Sequence, residues 1–259
     1  MSESNIIIQE NGHVLTVTIN RPNQLNALNR ETILELHEAL KSANQDENIG
    51  VVILTGSGEK AFVAGADIKE FANFKPSEGQ ELSAWGHEIL FNYIEAMDKP
   101  VIAAINGFAL GGGLELAMAS HIRVASDNAR MGLPEVSLGV IPGYGGTQRL
   151  TQLVGKGKAF EMIATAGMIN ADEALQWGLV NHVTTPEELI ALAEKIAAKI
   201  LKNSPNAIGA AIRAVNANFK DGLNGYDKEI EEFGRCFGTP EFVEGTTAFM
   251  EKRKAEFRK

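Results

Sequence analysis

The sequence predicts an α/β fold that gives way to an all-helical C-terminal region. Short apolar runs that read as strands alternate with helical stripes as far as about Val183, the signature of mostly parallel pairing. Beyond that point helical stripes continue with no strand between them. The chain of 259 residues suits one large domain, or a core with a small appendage, and needs no staples to bury a core. The boundary is placed at Asn203-Ser204-Pro205, dividing a core of residues 1–203 from a helical region of residues 204–259.

The first strand signal is Val14–Ile19, where Leu15, Val17 and Ile19 share one face at period two. Arg21-Pro22 ends it, and Asn29 caps a helix to about Asn44 with Ile33, Leu36, Leu40 and Ala43 on one stripe. The run from Gly50 to Thr55 reads as a strand buried on both faces. A helix from about Glu78 to Met97 turns Leu82, Trp85, Ile89, Tyr93 and Met97 inward. Val101–Ile105 is the next buried strand, a short helix opens at Gly112-Gly113, and Ile122–Ala125 and Leu179–Val183 are strands again. Thr185-Pro186-Glu187-Glu188 has the form of a capping box with proline at the first helical position. It opens a helix with Leu189, Leu192, Ile196 and Ile200 inward, and helices follow over about Pro205–Asn218, Gly222–Cys236 and Pro240–Arg253.

Lysine and arginine number 24 and aspartate and glutamate 33, a formal net charge of −9, and the pI is near 5.2. That balance argues against general binding to nucleic acid or anionic membranes. The single Cys236 cannot form an internal disulfide, and one cysteine with five scattered histidines argues against a structural zinc site. The polar, acidic start followed by only three isoleucines does not read as a secretory signal, and no run approaches a membrane span. A cytoplasmic protein is therefore expected. Trp85 and Trp177 fall at apolar helical spacing and read as core, and the five histidines read as structural or solvated.

Glycines are enriched and clustered, so phosphate loops come first. No segment supplies G-x-x-x-x-G-K-[ST]. Gly56-Ser57-Gly58-Glu59-Lys60-Ala61 matches the letters of a dinucleotide fingerprint and follows a strand, but Phe62-Val63-Ala64-Gly65 is a poor helix opening. A G-x-S-x-G nucleophile elbow is missing too. Asn106-Gly107-Phe108-Ala109-Leu110-Gly111-Gly112-Gly113-Leu114-Glu115 is more informative, because it runs from a buried strand into a helix. Its glycines allow close backbone approach, and its amides are unpaired donors at the positive end of a helix dipole, as an oxyanion hole requires. Glu115, in the first turn, either reaches the same space or merely complements the dipole. A second donor could come from Ala61–Asp67, where the N–H of Ala66 sits just before a short helix; the alternative is an ordinary connection capped by Asp67. Glu135 lies among apolar and turn residues in Met131–Glu135, followed by the glycine-rich run Gly139–Thr147.

Taken together, these segments resemble the enoyl-CoA hydratase/isomerase (crotonase) family. The likeness rests on Arg21-Pro22 with Asn26-Ala27-Leu28, Ala61-Phe62 through Ala64–Lys69, Asn106-Gly107 through Gly111–Gly113 and Glu115, Pro134-Glu135, and Ile141–Gly143 with Gly145–Leu150. Cys236–Pro240 and Glu244–Phe249 extend it through the tail. The resemblance implies a crotonase-like ββα spiral core with a helical C-terminal region that packs trimers, commonly paired into hexamers. It implies that Ala66 and Gly112 are the oxyanion donors and that Glu115 and Glu135 are the paired acid and base. Glu135 is then chiefly the proton donor to C2, and Glu115 chiefly orients and activates water. Ala64, Asp67, Ile68 and Lys69 would bind the CoA side and Gly143 would help hold the water, with no metal and no cofactor beyond the CoA of the substrate. Tyr144 stands where some relatives carry a small residue, which bears on the acyl pocket. Arg21, Lys60, Lys69 and Lys252-Arg253-Lys254 are the cations available to the polyanionic CoA, and Phe242, Thr246 and Phe249 form a stripe that faces a neighbouring subunit or the substrate mouth. Retention of both glutamates favours hydration over the alternatives, an enoyl-CoA isomerase or related thioester lyase, or a non-catalytic acyl-CoA-binding scaffold.

Overall fold

The alternating runs resolve, in a computed structural model that describes residues 4–258, into two sheets wound by one repeating unit. The first turn is β1 (Ile6–Asn11), β2 (Val14–Ile19) and α1 (Arg30–Gln45). Next come β3 (Val51–Gly56), β4 (Ala61–Val63), and a helical segment made of α2 (Pro76–Gly86), a π-helical turn at His87–Phe91 and α3 (Asn92–Ala96). The third turn is β5 (Val101–Ile105), β6 (Phe108–Leu110) and α4 (Gly112–Ala119); the fourth is β7 (Ile122–Ser126), β8 (Arg130–Gly132) and α5 (Gly146–Thr165). β9 (Met168–Asn170), α6 (Ala171–Gln176), β10 (His182–Thr184) and α7 (Leu189–Ile200) close the core, and α8 (Pro205–Ala217), α9 (Gly225–Cys236) and α10 (Pro240–Met250) form the helical tail.

The first turn keeps β1 and β2 side by side in one sheet, and the second, third and fourth turns each place their first strand in that sheet and their second in the other. The sheets accordingly run β1-β2-β3-β5-β7-β10 and β4-β6-β8-β9, with β1 and β9 antiparallel to their neighbours and the other pairs parallel. This is the expected ββα spiral. The corners between paired strands stack closely: a Cβ on Gly107 would lie 2.3 Å from the Lys60 carbonyl oxygen, and one on Gly56 would lie 2.3 Å from that of Phe62. Asn106 threads the Gly56–Gly58 corner, accepting from Gly56 N and donating to the carbonyls of Gly56 (2.9 Å) and Gly58 (2.7 Å). The fingerprint-like glycines therefore serve a corner, with β4 after them where a dinucleotide site needs a helix.

Burial on both faces of the parallel strands is explicit. Val52, Leu54, Val101, Ala103 and Ile105 pack with Ile33, Leu36 and Leu40 of α1 and with α4, while Val51, Ile53, Ile102, Ala104 and Val124 pack with Leu189, Ala193 and Ala197 of α7. Asn29 caps α1 by accepting from Thr32 N at 2.9 Å.

Several expectations need correction. β1 precedes the first strand read from the sequence; only Ile6 of it is buried, so it carries no alternation to detect. The strand expected over Leu179–Val183 is confined to His182–Thr184, because Leu179 and Val180 turn into the core before pairing starts. Thr185 makes no side-chain capping bond, and Pro186–Glu188 forms a 3-10 turn ahead of α7. Trp177 is 45% exposed beneath Lys158, whose Nζ sits 5.4 Å from the ring, because it follows α6 at the surface. Trp85 is half-buried with the Arg30 guanidinium 4.2 Å from its ring. Met1–Glu3 and Lys259, the ends of the two expected regions, lie outside the described residues.

The helical tail meets the core through Asn216, which donates to the Glu95 carbonyl oxygen at 2.5 Å, and through Arg213, which pairs with Asp98 and, at 2.7 Å, with the buried Glu232. Ser204 caps α8 through Ala207 N. Phe219, Tyr226, Ile230, Phe233, Phe249 and Met250 are left exposed on this region.

Candidate active site

The spiral brings the β4–α2 connection, the N-terminus of α4 and the segment after β8 to one cleft of roughly 510 Å³. Its wall includes Ala64, Ala66, Ile68, Gly112, Glu115, Glu135 and Gly143, all singled out from the sequence. Asp67 and Lys69 are not in that wall. Asp67 faces Arg21 at 3.2 Å and caps the Ile68–Glu70 turn, and Lys69 is exposed one residue beyond Ile68. Arg21 also donates to the Ala27 carbonyl, so this cation is committed to bracing the two segments against each other.

Both candidate backbone donors face the cleft for a geometric reason. The Gly65 carbonyl accepts from Leu28 N (2.9 Å), and Asp67 N donates to the Leu28 carbonyl (2.7 Å). Since C=O and N–H of a trans peptide point opposite ways, the Ala66 N–H points away from Leu28. Likewise the Gly111 carbonyl accepts from Glu115 N (3.0 Å), which sends the Gly112 N–H out of the N-terminus of α4. Gly65 (φ +117°) and Gly111 (φ +51°, ψ −124°) make these bends in backbone conformations that side chains resist. A Cβ on Gly112 would lie 3.6 Å from Ala66 N, so Gly112 packs against the Ala66 amide.

The two carboxyl groups approach from different elements. Glu115, in the first turn of α4, is 1% exposed. Its Oε1 accepts from Tyr144 N at 2.7 Å and Gly146 N at 2.8 Å. Burial pushes its pKa up to about 7, against the opposing pull of the Gly146 amide; Glu135 raises it further, and the Tyr144 amide and Arg149 lower it. Glu135 opens a 3-10 turn and is half-buried, with its Oε2 buried and without a hydrogen-bond partner. Burial also pushes its carboxyl group upward. Glu135 thus favours the protonated form of Glu115, and burial favours the protonated form of both.

Sequence reading missed three features of this site. The amides of Tyr144 and Gly146, which hold Glu115, carry no side-chain signal. The apolar rim of Phe74, Leu138, Val140 and Ile141 is exposed although apolar, and a break in helical or strand periodicity was its available mark. Ser83 Oγ donates to the Gly143 carbonyl at 2.6 Å and so fixes the loop expected to hold water. Tyr144 is wedged deep in the cleft: its ring stacks on Phe91 at 4.6 Å, and a Cβ on Gly86 would lie 2.3 Å from its Cε1. Burial, then the Glu115 carboxylate, push its phenol up to about 12. No residue of α10 lines the cleft, so within the described residues of this chain the Phe242–Phe249 stripe does not cover its mouth. Among the described residues no group of three His, Cys, Asp or Glu could hold a metal ion, and no helix is long and apolar enough to cross a membrane.

A model of the family described as enoyl-CoA hydratase/isomerase matches residues 9–259. The chain is similar to the crotonyl-CoA hydratase of Syntrophomonas wolfei, 48% identical over 258 residues that cover 99% of each chain. It is also similar to the short-chain-enoyl-CoA hydratase of Clostridium acetobutylicum, 49% identical over 257 residues covering 99% of this chain and 98% of that one. Among solved structures, an enoyl-CoA hydratase from Bacillus anthracis matches with a TM-score of 0.91 at 40% identity, covering 98% of both chains.

Proposed function

The chain belongs to the enoyl-CoA hydratase/isomerase family, and from that premise we propose that it is an enoyl-CoA hydratase, adding water reversibly to the C2=C3 bond of trans-2-enoyl-CoA thioesters. Attack of water at C3 pushes negative charge onto the thioester oxygen. The Ala66 and Gly112 amides supply fixed donors for that charge, and loss of one such donor costs about 10²–10³ in rate elsewhere. Glu115, with its amide-bound Oε1, accepts the proton of the attacking water. Glu135 delivers a proton to C2 on the same face, giving syn addition. Hydration requires Glu115 ionised and Glu135 protonated at the outset, so that the site acts as base and acid in one step. The observation that carries this reading is the convergence of two backbone amides, the buried Glu115 and the half-buried Glu135 on one cavity.

Initial rates on trans-2-enoyl-CoA thioesters of four to ten carbons test it. Loss of the enoyl-thioester absorbance with formation of 3-hydroxyacyl-CoA is expected. Migration of the double bond alone would make the protein an isomerase, and binding without turnover would make it a scaffold. The Tyr144 ring between Gly86, Phe91 and Gly112 supports a preference for short acyl chains, in keeping with the names of the two relatives. Tyr144→Ala should therefore raise activity on eight-carbon relative to four-carbon substrate by about tenfold or more, the scale of one or two methylenes in an apolar pocket. An unchanged ratio would remove Tyr144 from that role.

CoA would lie along Ala64, Ile68 and the exposed Lys69; Arg253 is tied to Glu244 and Glu251 instead. Because CoA enters as part of the substrate, the chemistry calls on no separate cofactor. The lone half-buried Cys236 suits a reducing compartment, and we place the enzyme in the cytoplasm. The exposed aromatic and aliphatic side chains of residues 204–259 support self-association through that region as a trimer or a dimer of trimers. Light scattering should give a mass three or six times the 27.9 kDa chain, and a monomer would overturn this assembly.

A further inference from the structure

Arg149, on the first turns of α5, is 6% exposed, and its guanidinium crosses to α3. Nη2 donates to Glu95 Oε2 (2.8 Å) and Asn92 Oδ1 (2.9 Å), while Nη1 donates to the Tyr144 carbonyl oxygen (3.0 Å). The amide of that same Tyr144, and the amide of Gly146 two residues on, are the groups that bind Glu115 Oε1. Gly145 between them has φ +97°, and a Cβ there would lie 2.2 Å from Arg149 Nη1. The loop is thus built to admit the guanidinium. The pair joins a buried guanidinium to a Glu95 side chain that is 36% exposed, and such a half-exposed pair adds little to stability, so its presence here calls for another explanation.

We propose that Arg149 is a positioning residue for Glu115, holding the 144–146 loop so that both of its amides stay on the Glu115 carboxylate. This inference rests on the hydratase reading, in which Glu115 takes the proton of water. The Arg149 charge acts in the same direction as the amides, since a nearby cation favours the ionised carboxylate against the burial that opposes it. The other charged or titratable groups around Glu115 are Glu135 on the 3-10 turn after β8, the Tyr144 phenol, His87 on the π-helical turn, and Glu95 behind Arg149.

The test is the pH dependence of kcat and kcat/KM for crotonyl-CoA in wild type, Arg149→Met, Arg149→Lys and Glu95→Gln. A wild-type protein that hydrates no enoyl-CoA would refute the hydratase reading itself. With an active wild type, Arg149→Met should lower kcat about tenfold or more with little change in KM. It should also move the acidic limb of kcat/KM to higher pH by on the order of one unit. Arg149→Lys, which keeps the charge but loses the forked geometry, should return the limb toward wild type while leaving kcat reduced. Glu95→Gln leaves the guanidinium less neutralised and should move the limb to lower pH. A folded Arg149→Met with unshifted limb and wild-type kcat would overturn the proposal. If that variant does not fold, Glu95→Gln decides: a downward shift supports it, and an unmoved or raised limb overturns it.

Discussion

Glu135→Gln should reduce hydration of crotonyl-CoA by about 10²–10⁴-fold, the range that a positioned proton-transfer group contributes. Among the described residues its buried Oε2 has no hydrogen-bond partner, which leaves it available to a proton destined for the substrate. Glutamine has nearly the same shape, so the cleft keeps its form, yet its amide cannot deliver a proton at a useful pKa. The change should fall on kcat, with the affinity for a non-reacting acyl-CoA within a few-fold of wild type, because Ala64, Ala66, Ile68 and Gly112 are untouched. Turnover close to wild type would end the assignment of Glu135 as acid. A matching fall in affinity would show instead that its carboxyl group helps to hold the thioester.

Glu115→Gln should cost activity on the same scale and yet make the protein more stable. The glutamine oxygen can accept from Tyr144 N and Gly146 N as Oε1 does, so the loop retains its anchor. What disappears is the ionisation of a carboxyl group that is 1% exposed. Its pKa is raised from 4.5 unfolded to about 7 folded, so the unfolded chain releases this proton at lower pH than the folded one. Stability associated with the protonated form is complete below about pH 4.5 and is lost as the pH rises to about 7. The variant should therefore match wild type at the acid end and gain steadily above it, reaching on the order of a few kcal/mol from pH 7 upward. Urea titrations between pH 5 and 8.5 would measure this. A difference that stays constant across the range would mean that the Glu115 pKa is not raised by folding.

The two variants isolate the conflict the site contains. Folding places Glu115 where water is scarce and where Glu135 opposes its charge, and burial also favours the protonated form of Glu135. Arg149 and the two loop amides limit the cost by favouring the ionised form of Glu115. In the same way, Ala66 and Gly112 keep their N–H groups free because neighbouring peptide groups take up the pairing on the other side.

Much of this was legible in the residues. Val51–Leu54 and Val101–Ile105 declare themselves as buried strands by continuous apolar character, and Asn29 announces α1 as its cap. The glycines before Glu115 mark a strand-to-helix bend with available donors. Less legible were β4, β6, β8 and β9, each of three residues, too short to show a period. Trp177 misled because apolar spacing cannot tell a core face from a surface covered by a lysine stem. Asp67 sits next to cleft residues in sequence, but its side chain caps the Ile68–Glu70 turn and pairs with Arg21, and Lys69 lies exposed outside the cleft wall.

By itself, then, the sequence determined the alternation of the longer strands with helices, the family, and which acids and amides were candidates for chemistry, because local propensity and motif are written in neighbouring residues. Only the tertiary structure decided that Gly112 packs against the Ala66 amide, that Glu115 is held by a loop some thirty positions away, and that Arg149 of α5 links that loop to Glu95 on α3. Those relations depend on how successive turns of the spiral stack, and backbone amides and long-range contacts leave no mark in the identity of the residues that make them.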